Sequence, residues 1–189
     1  LYFSRPLRRD QYILAKFAAM TGAVLAFTAI PLVILYAGAL LARLPGGGGH
    51  NSRSLGIGPD GRVYVSLGIQ GNCSDQYLDA SYPYDERRGG VAVLHEAGGK
   101  AQWQPYASGL RNPVGFAWQP QTGVMYAGNN GPDHLGYEQP PEYFSRLTAG
   151  SFHGMPWFQF DGQRLQRDDC VTSKPPRPLA QVAVPVATF

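Results

Sequence analysis

The sequence predicts an all-β domain built from propeller-type blades and preceded by one transmembrane α-helix. Three observations carry this. Residues 17–42 contain no charged side chain, and about 20 apolar residues suffice to cross a bilayer. After Pro45 the composition changes to short apolar runs separated by Gly, Pro, Asn and Asp, the pattern of strands and turns. Within that part a motif recurs. Leu55-Gly56-Ile57-x-Pro59-Asp60-Gly61-x-Val63-Tyr64-Val65 is echoed by Val114-Gly115-Phe116-Ala117-Trp118-x-Pro120-x-Thr122-Gly123-x-Met125-Tyr126-Ala127. Repeats of about 40–60 residues with several strands per unit are what blades produce. Two copies also fit a meander sandwich with a chance echo.

The apolar run tolerates Gly22, Gly38 and Pro31 as membrane helices do. A buried soluble helix and a secretory signal are the competing readings, although the run exceeds the usual signal core. Arg5, Arg8, Arg9 and Lys16 outnumber Arg43 on the far side. The positive-inside bias therefore expects a bacterial inner-membrane protein with residues 45–189 in the periplasm. Domains are expected at 1–44 and 45–189, divided by Leu44-Pro45-Gly46-Gly47-Gly48-Gly49. Polyglycine there serves either flexibility or close backbone approach.

The first hairpin is expected at residues 55–58 and 62–66, with Pro59-Asp60-Gly61 as its turn. Pro presets the dihedral, Asp bonds nearby backbone and Gly takes positive φ. Residues 91–94 and 101–103 flank an Ala97-Gly98-Gly99-Lys100 turn. Residues 101–103 are expected to be the hairpin partner of 91–94, and the outer strand of one blade and the inner strand of the next are expected to come from this region. Residues 70–90 and 131–146 read as long loops, the second broken by Pro132, Pro140 and Pro141. The chain is Pro-rich from Asp168, and residues 182–189 read as the start of a further strand.

The net charge of +3 conceals an asymmetry. Residues 1–44 set five basic groups against Asp10, whereas the remainder carries 11 basic and 12 acidic groups. No basic face for nucleic acid follows. Cys73 and Cys170 lie too far apart in sequence for a metal-type pair. They are expected to bridge in an oxidising compartment and to stay as thiols in the cytosol.

Three polar clusters stand out. His50 lies just ahead of the first hairpin, with Gln70-Gly71-Asn72 at that hairpin's far end. Gly109-Leu110-Arg111-Asn112-Pro113-Val114-Gly115 precedes the second hairpin, and Asn129-Asn130-Gly131-Pro132-Asp133-His134-Leu135-Gly136 follows it. Singly these read as a loop histidine, a surface cation and an ordinary turn. In a propeller, turns at equivalent blade ends meet at one mouth, so the clusters are expected to share a site. It would join a base, a cation with a planar fork and oxygen donors of the kind Ca²⁺ takes.

His50-x-x-x-x-Leu55-x-Ile57-Gly58-Pro59-Asp60, Gly109-Leu110-Arg111-Asn112-Pro113-x-Gly115, and Asn130-Gly131-Pro132-Asp133 followed by Gly154-Met155-Pro156-Trp157 resemble the glucose/sorbosone dehydrogenase family. The sorbosone-type branch is the better match, on Leu135-Gly136 followed by Pro140-Pro141-Glu142. The resemblance implies a six-bladed β-propeller that oxidises a sugar or sugar aldehyde with pyrroloquinoline quinone (PQQ) and Ca²⁺. It implies His50 as general base and Arg111 as the group stabilising charge on the cofactor. It further implies cofactor contacts from His50, Gln70, Arg111 and Asn112, and metal contacts from Gly131, Pro132 and Asp133. The electron acceptor is left open.

About 145 residues of propeller are too few for six blades, so a two- to three-blade fragment is expected, truncated and with doubtful activity alone. Residues 1–44, with Leu1-Tyr2-Phe3-Ser4-Arg5-Pro6-Leu7-Arg8-Arg9, Tyr12 and Lys16, resemble a segment of ABC-type exporter permeases. Two alternatives remain open: a non-catalytic propeller remnant fused to a permease fragment, and a gluconolactonase-type metal-dependent hydrolase. The latter wants carboxylates converging on its metal, and only Asp133 is evident from the sequence.

Overall fold

The computed structural model describes residues 8–41, 43–51, 53–136 and 139–189. The segment 1–7 with Arg5, and also Ala42 and Ser52, lie outside the described residues. The chain divides into two compact units, Leu1–Arg43 and Leu44–Phe189.

The first unit is one helix, α1 (Arg9–Leu41). Its described side chains are exposed on nearly every face. A helix that is apolar all round has no face that prefers water. Arg9–Ile30, with mean hydropathy 1.9, is long and apolar enough to cross a membrane. A signal sequence meets the same test.

The second unit is mostly β-sheet. In chain order its strands are β1 (Leu55–Ile57), β2 (Val63–Leu67), β3 (Gly90–Ala97), β4 (Lys100–Ser108), β5 (Asn112–Trp118), β6 (Met125–Asn130), β7 (Tyr143–Leu147), β8 (Ser151–Phe152), β9 (Phe158–Phe160), β10 (Leu165–Arg167) and β11 (Ala187–Thr188). Among the described residues, β1-β2-β3-β4 form an antiparallel meander, with β8 added parallel to β4. A second antiparallel sheet has the order β11-β7-β6-β5, and β9 pairs with β10.

The first hairpin forms as its turn chemistry requires. Gly61 takes φ +76°, Gly61 N donates to Gly58 O at 2.9 Å, and Asp60 Oδ1 accepts from Arg62 N at 3.1 Å. Asp60 Oδ2 also accepts from Tyr64 Oη at 2.8 Å. The second hairpin closes through Gly123 N to Gln119 O at 2.8 Å, with Gly123 at φ +66°.

The two meanders bury one core between them. Tyr64, Val91, Val93 and Ala107 from the first meet Met125, Ala127, Tyr143 and Leu147 from the second. Phe116 and Trp118 close its edge. A Cβ on Gly56 would stand 2.9 Å from Trp118 Cζ3, so the first hairpin's glycine permits a close approach. Its counterpart Gly115 has nothing within 4 Å. The echo is one of strand pattern rather than of packing role.

Three expectations need correction. β3 and β4 form the expected hairpin across Gly98-Gly99, but both strands belong to the sheet of β1 and β2, so this region supplies no inner strand to a next blade. The second loop ends at Glu142, not Arg146, because Tyr143, Ser145 and Leu147 alternate inward on β7. The terminal segment yields only the two-residue β11, paired to the edge of β7. The polyglycine divides by position: Gly46 and Gly47 stand in open space, whereas Gly48 and Gly49 press on Gln70.

Candidate functional site

The site is built where three chain crossings meet at the ends of β2 and β5. Gly49 N donates to Gln70 O at 2.8 Å, and Ile69 N donates to Arg111 O at 2.9 Å. These bonds bring the segments of His50, Gln70 and Arg111 side by side. Gly68 fixes the spacing. A Cβ there would stand 2.6 Å from His50 Cβ and 3.0 Å from Asn112 Oδ1. His50 and Asn112, 62 positions apart in the sequence, thus cover the same glycine.

His50 Nδ1 lies 2.6 Å from Ile69 O. A carbonyl only accepts, so Nδ1 carries the proton and Nε2 keeps its lone pair. Asn112 N donates to Asn129 Oδ1 at 3.0 Å. Asn112 Oδ1 and Asn129 Nδ2 are buried and, among the described residues, have no hydrogen-bond partner. Such orphaned atoms cost free energy unless another group satisfies them. Gln70 is already engaged: Gln76 Nε2 donates to its Oε1 at 2.9 Å, and its own N–H donates to Gln76 Oε1 at 2.6 Å.

Arg111 is 6% exposed. Its guanidinium donates to Asn72 Oδ1 at 2.5 Å and Asn72 O at 3.2 Å, and pairs with Asp133 Oδ2 at 3.4 Å. Asp133 N donates to the same Asn72 Oδ1 at 3.1 Å. Burial lowers the Arg111 pKa from its usual value, against the pull of Asp133 and Glu142. Burial raises that of Glu142; Arg111 opposes the shift and Asp133 adds to it.

A cleft of about 460 Å³ opens beside this pair, lined by Gly131, Pro132, Asp133, Pro140, Pro141 and Glu142. A Cβ on Gly131 would lie 3.0 Å from Pro140 O and 3.5 Å from Pro141 O. The donors are all hard oxygens, two carboxylates among them, which is the set Ca²⁺ takes. The Arg111 guanidinium suits an anionic group on a cofactor, and the buried Asn112 Oδ1, an acceptor, suits a hydrogen-bond donor on it.

His50, Gln70, Arg111 and Asn112 are therefore brought together, and Gly131, Pro132 and Asp133 line the adjoining cleft. Asn72, Asn129 and Glu142 were not singled out as site residues from the sequence. A polar residue on each flank of a recognisable motif was the available signal, and only the fold selects among them.

No protein-family model matches the chain, and no curated protein does. Among solved structures, the PQQ-bound form of aldose sugar dehydrogenase from Streptomyces coelicolor is similar at a TM-score of 0.51 and 19% identity. The match covers 77% of this chain and 37% of that one. The β unit shares its fold with part of a sugar dehydrogenase. A Thermus thermophilus protein described as a glucose dehydrogenase-type oxidoreductase matches at a TM-score of 0.47 and 20% identity, over 74% of this chain and 38% of its own. The chain thus spans little more than a third of the length of these structures.

Proposed function

We propose that the chain is a portion of a quinoprotein oxidoreductase acting on a sugar or sugar aldehyde, with residues 45–189 forming two to three blades of a six-bladed propeller on the periplasmic side of a membrane. The observation that carries the proposal is the histidine anchored through Nδ1 to Ile69 O, with its other nitrogen unbonded among the described residues. Beside it lies an asparagine oxygen that likewise has no partner among them.

PQQ, when bound, supplies the two-electron acceptor for the hydride. His50 Nε2 takes the proton of the substrate hydroxyl, the general-base role that imidazole fills most often. Arg111 would hold a bound quinone through charge complementarity. Asn112, with Gln70 beside it, would hold the cofactor's edge. The Gly131 and Pro132 carbonyls and the Asp133 carboxylate would hold Ca²⁺. The buried anchorage of Arg111 on Asn72 keeps the guanidinium in place before any ligand arrives.

The test is a titration of the full chain in detergent with PQQ and Ca²⁺, read by protein fluorescence and by dye-linked oxidation of aldoses. Saturable, Ca²⁺-dependent quenching that weakens in Arg111→Ala and Asn112→Ala is expected. Absence of saturable quenching overturns the reading. A second reading draws on Glu142, which gives Asp133 a carboxylate neighbour in the cleft. Two converging carboxylates suit a metal-dependent lactone hydrolase of the gluconolactonase type. Ca²⁺-dependent opening of a sugar lactone without quinone would favour that reading.

A further inference from the structure

Four buried polar atoms behind the site take no part in the reading above. Asn129 Nδ2, Tyr143 Oη, His153 Nδ1 and Gln159 Oε1 have no hydrogen-bond partner among the described residues. All four residues are buried, Tyr143 and Gln159 being the most exposed of them at 7%. All four line one cavity. Strand register explains part of the convergence. Asn129 on β6 stands opposite Tyr143 on β7, and directly paired side chains leave a sheet on the same face. Gln159 comes from β9, and His153 follows β8 directly. Gly131 and Pro132 line both this cavity and the cleft.

We propose that the cavity is an internal hydration site, which holds one ordered water and so supports the wall of the cleft. Size limits the occupant. The cavity measures about 10 Å³, close to the roughly 10–15 Å³ that the centre of one water requires. The mixture of donors and acceptors then selects the chemistry. Asn112 N donates to Asn129 Oδ1 at 3.0 Å, which fixes that amide and leaves Nδ2, a donor only, for the cavity. Gln159 Oε1 only accepts, and a phenol does either. Ser151 Oγ engages His153 Nε2 at 2.9 Å, so Nδ1 is the ring nitrogen left over. A cation would satisfy only the acceptors, and an anion only the donors. Water satisfies both sets, and buried waters ordinarily make about three such bonds. Charge points the same way. No Asp, Glu, Lys or Arg side chain is among the described residues that line the cavity. Burial raises the pKa of Tyr143 and lowers that of His153 to about 4, so both are uncharged near neutral pH. An ion there would have no counter-charge.

The water bears on the site through Asn129. That amide joins the two sides, its oxygen on Asn112 N and its nitrogen on the water. With the nitrogen held, the amide keeps its orientation, and Asn112 keeps the place in which it covers Gly68. The proposal does not depend on what Asn112 or the cleft binds.

The experiment compares the full chain in detergent with Tyr143→Phe, Gln159→Met and the double variant. Tyr143→Phe decides by sign. With water bound, losing the hydroxyl removes a bond, and the melting temperature should fall by about 2–4 °C. Without water, the same change deletes an unsatisfied buried hydroxyl, and the melting temperature should hold or rise. Gln159→Met should also lower it. The double variant should lose less than the sum, because the second change meets a site the water has already left. Oxygen-17 relaxation dispersion should count one long-lived water fewer in the double variant. Hydrogen exchange at the Asn112 amide should quicken there by roughly tenfold as the Asn129 amide loosens. A melting temperature held or raised by Tyr143→Phe overturns the proposal, and so does an unchanged count of long-lived waters or unaltered exchange at Asn112. Rb⁺ found in the cavity by anomalous scattering, in crystals of the unmutated chain, would put a cation there and overturn it as well.

Discussion

His50 and His153 have opposite environments. His50 keeps one nitrogen unbonded among the described residues, just ahead of a hairpin. In a complete propeller carrying residues 45–189, His50→Gln should leave quinone binding nearly unchanged. Turnover should fall by about 10²–10⁴, since glutamine bonds but takes no proton near neutral pH. Wild-type turnover in that variant would remove His50 from the mechanism. His153 is instead sealed in the core. Its Nδ1 is buried without a partner among the described residues, and Ser151 Oγ lies 2.9 Å from its Nε2. Burial lowers its pKa from 6.5 to about 4. The folded state thus prefers neutral imidazole. Stability from this group is fully present above pH 6.5, and falls as pH drops from 6.5 towards about 4, because the unfolded chain takes the proton first. The loss should be on the order of 1–3 kcal/mol. Urea midpoints measured across that window should slope in the wild type and flatten in His153→Gln.

The elements differ in how much their repeated motifs are asked to do. Gly56 on β1 lies under the Trp118 ring, whereas Gly115 on β5 faces open space. Gly56→Ala should cost about 1–3 kcal/mol through overpacking. Gly115→Ala should stay within about 0.5 kcal/mol. Equal costs in chemical denaturation would mean that the hairpins pack alike, against the geometry described. The turns themselves are local. Asp60 and Gly61 close the first hairpin through bonds within four residues of each other, which is why both hairpins were legible before the fold was known. β7 was obscured by Pro140 and Pro141 just ahead of it, even though Tyr143, Ser145 and Leu147 alternate inward. β9 and β10 are three residues each, too short for a periodicity to register.

For the whole molecule the bridge and the helix matter most. Cys73–Cys170 closes a loop of 97 residues, which the chain-entropy account values at about 4–5 kcal/mol. Replacing both cysteines by serine should lower stability by up to that amount, and unchanged unfolding midpoints would show that the loops are held by packing alone. α1 is expected to keep the intact chain in the membrane fraction through an alkaline wash. Leu25→Arg sets a charge at the middle of α1 (Arg9–Leu41) and costs about 2.5–3.5 kcal/mol of insertion. It should shift the chain towards the soluble fraction, whereas full solubility of the unmutated chain without detergent would count against a span.

What residues could announce by themselves was local or compositional. The uncharged run, the Pro-to-Gly turns and the His50, Arg111-Asn112 and Gly131-Pro132-Asp133 motifs were all readable along the chain, because each depends on neighbours a few positions away. The tertiary structure alone decided which strands share a sheet, and that His50 and Asn112 meet over Gly68. It also decided that Asn72 clasps both Arg111 and Asp133, and that two distant cysteines close under His134. These contacts join segments some 20 to 100 positions apart. No local propensity encodes them; they arise when both meanders bury one core and their ends are forced together.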